Sequence, residues 1–190
     1  MKKFLFLISA CLFGMTAIAQ HTYTLDKNHA RLSFSALHFG ISHIEGNFNT
    51  FDATVISTKK DFSDISIEMK ADVKSINTEV EMRDNDLRSP QWFDADKYST
   101  LTFKSISFKK LKGNNYTLKG NITIHGVTKP IEFNVVFNGK GQNPFSKKYS
   151  LGFTLSGKLN RLDFGIGGEP LATGVGKEIE LKSNVEFAIN

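Results

Sequence analysis

The segment KEIELKSNVEFAI, residues 177–189, alternates apolar and polar side chains with a period of two. Its apolar residues Ile179, Leu181, Val185, Phe187 and Ile189 all stand at odd positions, and charged or polar residues fill most of the places between them. Successive side chains of a β-strand point to opposite faces, so this pattern predicts a strand with one buried and one wet face.

The same alternation recurs along the chain and predicts an all-β protein. Strands that alternate in this way belong to antiparallel sheets, because parallel strands covered on both faces are apolar throughout. About eight strands fit between Tyr23 and Ile189 without a linker, which favours one antiparallel sheet closed into a barrel over an open sandwich. The clearest further examples are Ile65, Ile67, Met69, Ala71 and Val73; Tyr116, Leu118, Ile122 and Ile124; Ile131, Phe133, Val135 and Phe137; and Tyr149, Leu151, Phe153 and Leu155.

Three departures from simple alternation are informative. The apolar parity changes at Ser105, which predicts a β-bulge that keeps both Ile106 and Phe108 facing the core. Glycine-rich or polar stretches at 112–115, 126–130, 138–141 and 165–168 predict turns. Residues 78–81 resemble a helix-capping signal, so we expect a short helix near 79–88, a turn at Pro90, and a helix or lid segment near 79–94.

Composition limits the classes of protein to be considered. The 190 residues are 40% hydrophobic and include 17 Phe, which argues against a disordered chain and for an oily interior. The formal net charge of +5 is modest. Without Lys2 and Lys3, which belong to the N-terminal signal considered next, 22 basic residues stand against 19 acidic ones, and a net charge of +3 is too small to suggest nucleic acid as a partner. We expect a single domain over residues 20–190, as a monomer or homodimer.

The first 19 residues have the pattern of a secretory signal peptide. Lys2 and Lys3 precede an apolar run, and Ala17-Ile18-Ala19 is a small-x-small cleavage site. We therefore expect cleavage after Ala19 and a periplasmic or secreted protein. The sole cysteine, Cys11, lies inside this signal, so the mature chain would have no disulfide. A competing interpretation is a lipoprotein processing box that ends at Cys11.

The interior of an eight-stranded barrel is either filled by side chains or holds one small ligand. The residues expected to face inward are almost all apolar, so any cavity would suit a hydrophobic ligand rather than a sugar or nucleotide. A packed interior without a cavity stays an open alternative. The expected inner wall comprises Phe34, Phe48, Ile67, Met69, Phe103, Leu118, Ile122, Phe133 and Phe153.

Sequence signals for catalysis, metals or cofactors are weak. The histidines are scattered without metal-ligand spacing, and no nucleophile elbow or phosphate loop is present. Asp84 and Asp86 lie beside Arg83 and Arg88, which predicts a solvated, salt-bridged helix face. We expect no cofactor, no metal and no enzyme activity. The alternative is an enzyme acting on a lipid, with His38 or His125 as the acid or base.

Motifs spread over the chain resemble the YceI-like family. The most specific is Arg83-Asp84-Asn85-Asp86-Leu87-Arg88-Ser89, followed by Trp92-Phe93-Asp94 and Lys97-Tyr98. Another is the run GNITIHGVTKP, residues 120–130. Further matches are Asp26 and His29, His38 and Gly40, Gly46 and Phe48, Phe103-Lys104-Ser105, and Arg161 with Asp163-Phe164-Gly165-Ile166.

The resemblance implies a lipocalin-like antiparallel barrel that is exported and holds an isoprenoid, of quinone or polyprenyl type, or another long-chain amphiphile, for carriage or storage. It implies no catalysis. On this basis the segment 77–99, with Met82, Leu87, Trp92 and Phe93, is expected to form a lid. Transient contact with a membrane is also expected. A ligand-free barrel with a structural or stress role is the remaining alternative.

Two positions depart from the family pattern: Ala30 replaces a serine and Asp86 replaces a histidine. Together with Arg83, Asp86 is expected to contact the ligand near the mouth of the barrel. A carboxylate there would repel an acidic head group, so we expect a preference for a neutral lipid such as a quinone, alcohol or amide.

Overall fold

The computed structural model describes residues 21–59, 64–145, 147–169 and 173–189. The predicted signal peptide, residues 1–19, lies outside the described residues. Within them, no helix has the length and apolar character needed to cross a bilayer. The strands are β1 His21–Leu25, β2 Arg31–His38, β3 Ser42–Phe48, β4 Phe51–Ser57, β5 Ser66–Asp72, β6 Ile76–Asn77, β7 Thr100–Lys110, β8 Asn115–Ile124, β9 Val127–Gln142, β10 Tyr149–Asn160 and β11 Val175–Ile189. The helix α1 spans Glu81–Arg88, and short 3-10 helices span Lys27–His29, Val73–Ser75 and Arg161–Phe164.

The strands form one antiparallel sheet that closes on itself, since β1 pairs with both β4 and β11. Three of the barrel strands are interrupted and consist of two segments each. The first is β1 and β2, joined by the 3-10 turn Lys27–His29; the second is β3 and β4, joined by residues 49–50; the third is β5 and β6, joined by the 3-10 turn Val73–Ser75. The described chain is therefore a closed eight-stranded antiparallel barrel with one short helix, which confirms the predicted fold class.

The parity change in β7 is a bulge, as predicted, because the pairing with β8 shifts between Ser105 and Ser107. One detail of the prediction is wrong. The bulge residue Ile106 points outward and is 68% exposed, whereas Phe108 is buried. Ile106 is the extra residue of the bulge. It points to solvent, and its insertion lets Phe108 face the core.

Of the predicted turns, the one at 126–130 is shorter than expected and the one at 138–141 is absent. Only His125 and Gly126 connect β8 to β9; both have positive φ, as a two-residue hairpin turn requires. Residues 138–141 lie inside the long strand β9, where the pairing with β10 shifts at Gly152. The glycines there accommodate a bulge, and the chain reverses direction only after Gln142.

The up-and-down order places alternate connections at opposite ends of the barrel. One end, called here the helix end, carries the loop 39–41, the segment 78–99 with α1, the His125-Gly126 turn and the loop 161–174. The opposite end carries the first residues of β1 and the last of β11, with the connections after β4, β7 and β9. This division sets the direction of the cavity described below.

Candidate functional site

The barrel encloses a cavity of about 200 Å³ whose wall runs from the helix end towards the opposite end. Twelve of the fourteen side chains predicted to contact a ligand belong to this wall. They are Phe34, Phe48, Ile67, Met69, Leu87, Trp92, Phe93, Phe103, Leu118, Ile122, Phe133 and Phe153. Arg83 and Asp86 are not part of it. Ligand contact by any of these residues stays a prediction.

The chemistry of the wall is apolar. Among the described residues that line the cavity, none is Asp, Glu or His, and the charged members are Arg161 and Lys182. The side chain of Lys182 is exposed, whereas Arg161 is buried. Such a wall can bury a hydrocarbon tail, and it offers no carboxylate or imidazole for general acid or base catalysis.

Phenylalanine rings lie flat against the wall because glycines on neighbouring strands leave room for them. A Cβ atom on Gly46 would stand 2.4 Å from the Phe34 ring, and one on Gly120 would stand 2.4 Å from the Phe103 ring. A Cβ on Gly157 would be 2.7 Å from Phe133. These glycines therefore keep aromatic rings out of the lumen, which widens the space left for a ligand.

Gly46→Ala should narrow the cavity. Its new methyl group would meet only the far ends of the Phe34 and Thr78 side chains, so the Phe34 ring is expected to swing into the lumen. Exclusion of about two methylenes from the cavity lowers lipid affinity about tenfold. Displacement of a fluorescent fatty-acid probe would measure it. The control is Gly152→Ala, where the nearest atom is 3.5 Å away; equal affinities of the two variants would contradict the role given to Gly46.

The two ends of the barrel differ in how tightly they are packed. At the end opposite the helix, Tyr23, Tyr116 and Leu151 are buried, and none of them lines the cavity. At the helix end, the wall residues Phe34, Ala36, Leu87, Phe93 and Val175 are partly exposed. We therefore expect a ligand to reach the cavity from the helix end.

The helix is held to the barrel by a buried hydrogen-bond cluster rather than by salt bridges. Asp84 is 6% exposed, and its Oδ1 accepts hydrogen bonds from the Thr78 backbone N–H at 2.8 Å and the Thr78 hydroxyl at 2.6 Å. Arg83 donates to the Thr78 hydroxyl and carbonyl oxygens at 2.7 and 2.6 Å. The prediction of a solvated, salt-bridged face is therefore wrong for Asp84.

Arg88 completes this attachment by donating to the backbone carbonyls of Lys74 and Ile76, at 2.9 and 2.7 Å. In the described part of the chain, no ion pair involves the four charged residues of the motif 83–88. The motif thus positions the segment that carries Leu87, Trp92 and Phe93 into the cavity wall. The other expected lid residue, Met82, is 81% exposed and faces away from the cavity.

Asp86 lies on the exposed side of α1 and outside the cavity wall. The expected preference for a neutral head group depended on a carboxylate at the mouth of the cavity. The Asp86 carboxylate does not line the cavity, so the cavity wall gives this preference no support, and it stays a prediction.

The two candidate acid or base histidines also lie outside the cavity wall. His125 adopts a positive φ in the hairpin turn, and its Nδ1 donates to the carbonyl oxygen of Phe164 at 3.0 Å. The ring of His38 packs against Phe39, with 4.1 Å between the ring centroids. These contacts give both histidines structural roles at the helix end.

Three potential metal ligands meet on the outside of the barrel: Asp26, His29 and Glu186. Asp26 and His29 form a hydrogen-bonded pair with 3.0 Å between Oδ2 and Nδ1, and His29 is exposed. None of the three residues lines the cavity. Within the group, Asp26 and His29 shift each other's pKa values.

The Asp26 hydrogen bond raises the pKa of His29 above its ordinary 6.5, and the same bond lowers the pKa of Asp26 below its ordinary 3.8. The histidine contribution to stability is present at pH values below 6.5 and is lost as pH rises through the raised pKa. NMR titration of the His29 ring should give a pKa above 6.5. Asp26→Asn should lower it, and Asp52→Asn, which removes the carboxylate paired with Lys27, should not. An Asp26→Asn titration identical to that of the unmodified chain would contradict the assignment.

A buried charged residue of the wall, Arg161, was not among the residues predicted to contact a ligand. Arg161 follows directly after β10 and is 2% exposed, with its guanidinium over the Trp92 ring at 5.4 Å. Arginine at the end of a strand is usually exposed, so no local sequence signal distinguishes it from a surface residue. Its burial depends on hydrogen bonds to backbone carbonyls further along the chain, at Ile166, Val175 and Gly176.

Comparison with known proteins places the chain in a family. The model of the YceI-like domain matches residues 23–187. The UPF0312 protein SA2479 of Staphylococcus aureus strain N315 is 33% identical over 172 residues, which cover 88% of this chain and 98% of that protein. The UPF0312 protein SAS2572 of S. aureus strain MSSA476 is 34% identical over 174 residues, with the same shares covered.

Solved structures show the same fold. A Campylobacter jejuni YCEI protein superposes with a TM-score of 0.70 at 28% identity, over 78% of this chain and 86% of that one. Burkholderia cenocepacia BcnA gives a TM-score of 0.76 at 23% identity, over 85% and 98% of the two chains. A polyisoprenoid binding domain from Saccharophagus degradans gives 0.64 at 13% identity, over 88% and 98%. The chain therefore belongs to the YceI-like family.

Proposed function

We propose that this chain is an exported lipid-binding protein that holds an isoprenoid, of quinone or polyprenyl type, or another long-chain amphiphile in the barrel, for carriage or storage. The observation that carries the proposal is a cavity wall that is apolar along the barrel and accessible from one end. The S. degradans domain, which shares the fold, is described as polyisoprenoid binding. The absence of Asp, Glu and His from the described wall supports binding rather than catalysis.

The size of the cavity bears on the main alternative. Its volume of about 200 Å³ is below the range of roughly 300–1,000 Å³ that is usual for small-molecule pockets. A long tail therefore requires some wall side chains to move aside. This small volume also favours the alternative of a filled barrel without a ligand, which the following experiment distinguishes.

The direct test is a series of isoprenoid alcohols of increasing length, each used to displace a fluorescent fatty-acid probe. Each buried carbon contributes about 0.8 kcal/mol and an isoprene unit has five, so affinity should rise several hundredfold per isoprene unit until the cavity is full. A filled barrel would bind neither the probe nor the alcohols. Affinity that does not depend on length would place the tail outside the barrel and would also contradict the proposal.

Export is part of the proposal, because a signal peptide is expected at residues 1–19. The intact mass of the chain isolated from the cell envelope should correspond to a protein that begins at Gln20. A mass that includes a lipid on Cys11, or an uncleaved N-terminus, would replace the proposed processing with one of its alternatives.

Transient membrane contact is proposed at the helix end, where the ligand would enter. Phe39, Ile41 and Met82 are exposed there, at 68%, 85% and 81%. Replacing Phe39 and Ile41 together by Ser should reduce co-sedimentation with phosphatidylethanolamine–phosphatidylglycerol vesicles severalfold, since each exposed side chain contributes roughly 1.5–3 kcal/mol when buried. Phe145→Ser is the control, because Phe145 is 93% exposed at the other end. Equal loss in both variants would argue against a specific face.

A further inference from the structure

Arg161 is a buried cation in the wall of an otherwise apolar cavity. Its Nε donates to the Gly176 carbonyl at 3.0 Å, and its Nη1 donates to the Ile166 carbonyl at 2.6 Å. Its Nη2 donates to the Val175 carbonyl at 2.7 Å and to the Thr173 hydroxyl at 3.2 Å. The pairing of β11 with β2 is irregular between Val175 and Ile179, and Arg161 satisfies carbonyls in this stretch.

Among the described residues, no acidic side chain forms an ion pair with this guanidinium. Within the described residues no carboxylate lies within 4.0 Å of it, and residues 170–172 contain no Asp or Glu. Burial lowers the pKa of Arg161, and the charge of Glu169 opposes that effect. An arginine stays protonated in such surroundings, so the wall carries a positive charge that hydrogen bonds to neutral dipoles stabilise, with a smaller contribution from the charge of Glu169.

The hydrogen bonds of Arg161 leave donor capacity unused. A guanidinium has five N–H groups, and four of them donate to the acceptors named above. The remaining N–H, on Nη1, has no acceptor among the described residues. The ring of Trp92 lies over the guanidinium at 5.4 Å and also lines the cavity. The two side chains together form a donor site with an aromatic wall.

We propose that Arg161 and Trp92 form the head-group site of the cavity, and that this site takes an amphiphile with an anionic acceptor oxygen, such as a phosphate or carboxylate. The inference rests on the proposed lipid-binding function and specifies the chemistry of the head group. A tail in the barrel with its head at the helix end brings the acceptor to the one buried charge of the wall. A hydrogen bond between a cation and an anion is stronger than one from the same cation to a neutral acceptor. The anion therefore binds more tightly than an alcohol with the same tail.

This preference is opposite to the one expected from Asp86. The two expectations differ because Asp86 is exposed outside the cavity wall, whereas Arg161 is buried in it. The head-group preference of the unmodified chain therefore decides between them without any substitution.

The test uses three ligands with identical tails: geranylgeraniol, geranylgeranyl monophosphate and geranylgeranoic acid. Trp92 is the single tryptophan of the chain, so its emission reports binding next to Arg161, and displacement of a fluorescent fatty-acid probe gives the affinities. The phosphate and the carboxylate should each bind about ten- to a hundredfold more tightly than the alcohol. Equal binding, or tighter binding of the alcohol, overturns the head-group site. Failure of all three ligands to bind overturns the proposed function itself.

Arg161→Gln should remove most of the preference for the anions over the alcohol. Lys182→Gln is the matched control, because Lys182 is the exposed cation of the wall, and it should keep the preference. Arg161→Lys keeps the charge and should keep part of the preference. Circular dichroism establishes whether each variant folds. A folded Arg161→Gln protein with an unchanged preference would contradict the site.

Discussion

Ala53→Phe should lower the affinity for an isoprenoid roughly two hundredfold. Ala53 lies on β4, is buried and belongs to the cavity wall. A phenyl ring at this position would cross a cavity of about 200 Å³ and exclude part of the tail. Exclusion of about four methylenes at about 0.8 kcal/mol each gives that loss. The measurement is displacement of the fluorescent fatty-acid probe by geranylgeraniol.

The matched control is Thr54→Phe, one residue further along β4. Thr54 is exposed on the outer face, because neighbouring side chains of a strand point in opposite directions. The affinity of the Thr54→Phe variant for geranylgeraniol should equal that of the unmodified chain. If Ala53→Phe is folded and binds as tightly as Thr54→Phe, the tail does not occupy the lumen.

Asp84→Ala should reduce the free energy of unfolding by roughly 2–4 kcal/mol. The substitution leaves the Thr78 N–H and hydroxyl without their buried acceptor, and an unsatisfied buried polar group costs about 1–3 kcal/mol. It also loosens the segment that positions Leu87, Trp92 and Phe93 in the wall. Denaturant unfolding measures the change, and the Trp92 emission of the native state shows whether that segment stays packed.

Asp86→Ala provides the comparison on the same helix. Asp86 is exposed and lies outside the cavity wall, so its loss should change stability by no more than about 0.5 kcal/mol and should leave lipid affinity unchanged. A larger effect of Asp86→Ala than of Asp84→Ala would contradict the account of how the helix is attached.

Much of the barrel could be predicted from the sequence because its strands have one buried and one wet face. The phase of that alternation placed Ile67, Leu118 and Ile122 in the cavity wall correctly. The bulge in β7 was also visible, as a change of parity at Ser105. What parity does not reveal is which residue of a bulge turns outward, and Ile106 therefore appeared to face the core.

Other features depend on contacts between distant parts of the chain. The stretch 138–141 has the composition of a turn, yet it lies within β9 because β10 continues to pair with it. Asp84 and Asp86 look alike in the sequence, but only Asp84 meets Thr78, six residues away. Arg161 is buried against Trp92 and Val175, and no local pattern predicts those contacts.

The central claim is that the barrel holds a lipid. The most direct measurement is to isolate the protein without detergent from the cells that make it, extract it with organic solvent, and identify the bound lipid by mass spectrometry. We expect about one equivalent of a single lipid with an isoprenoid or other long apolar tail, since a barrel of this size holds one small ligand. An extract without lipid, from a protein that also fails to bind added geranylgeraniol and its phosphate, would contradict the claim and indicate a filled barrel.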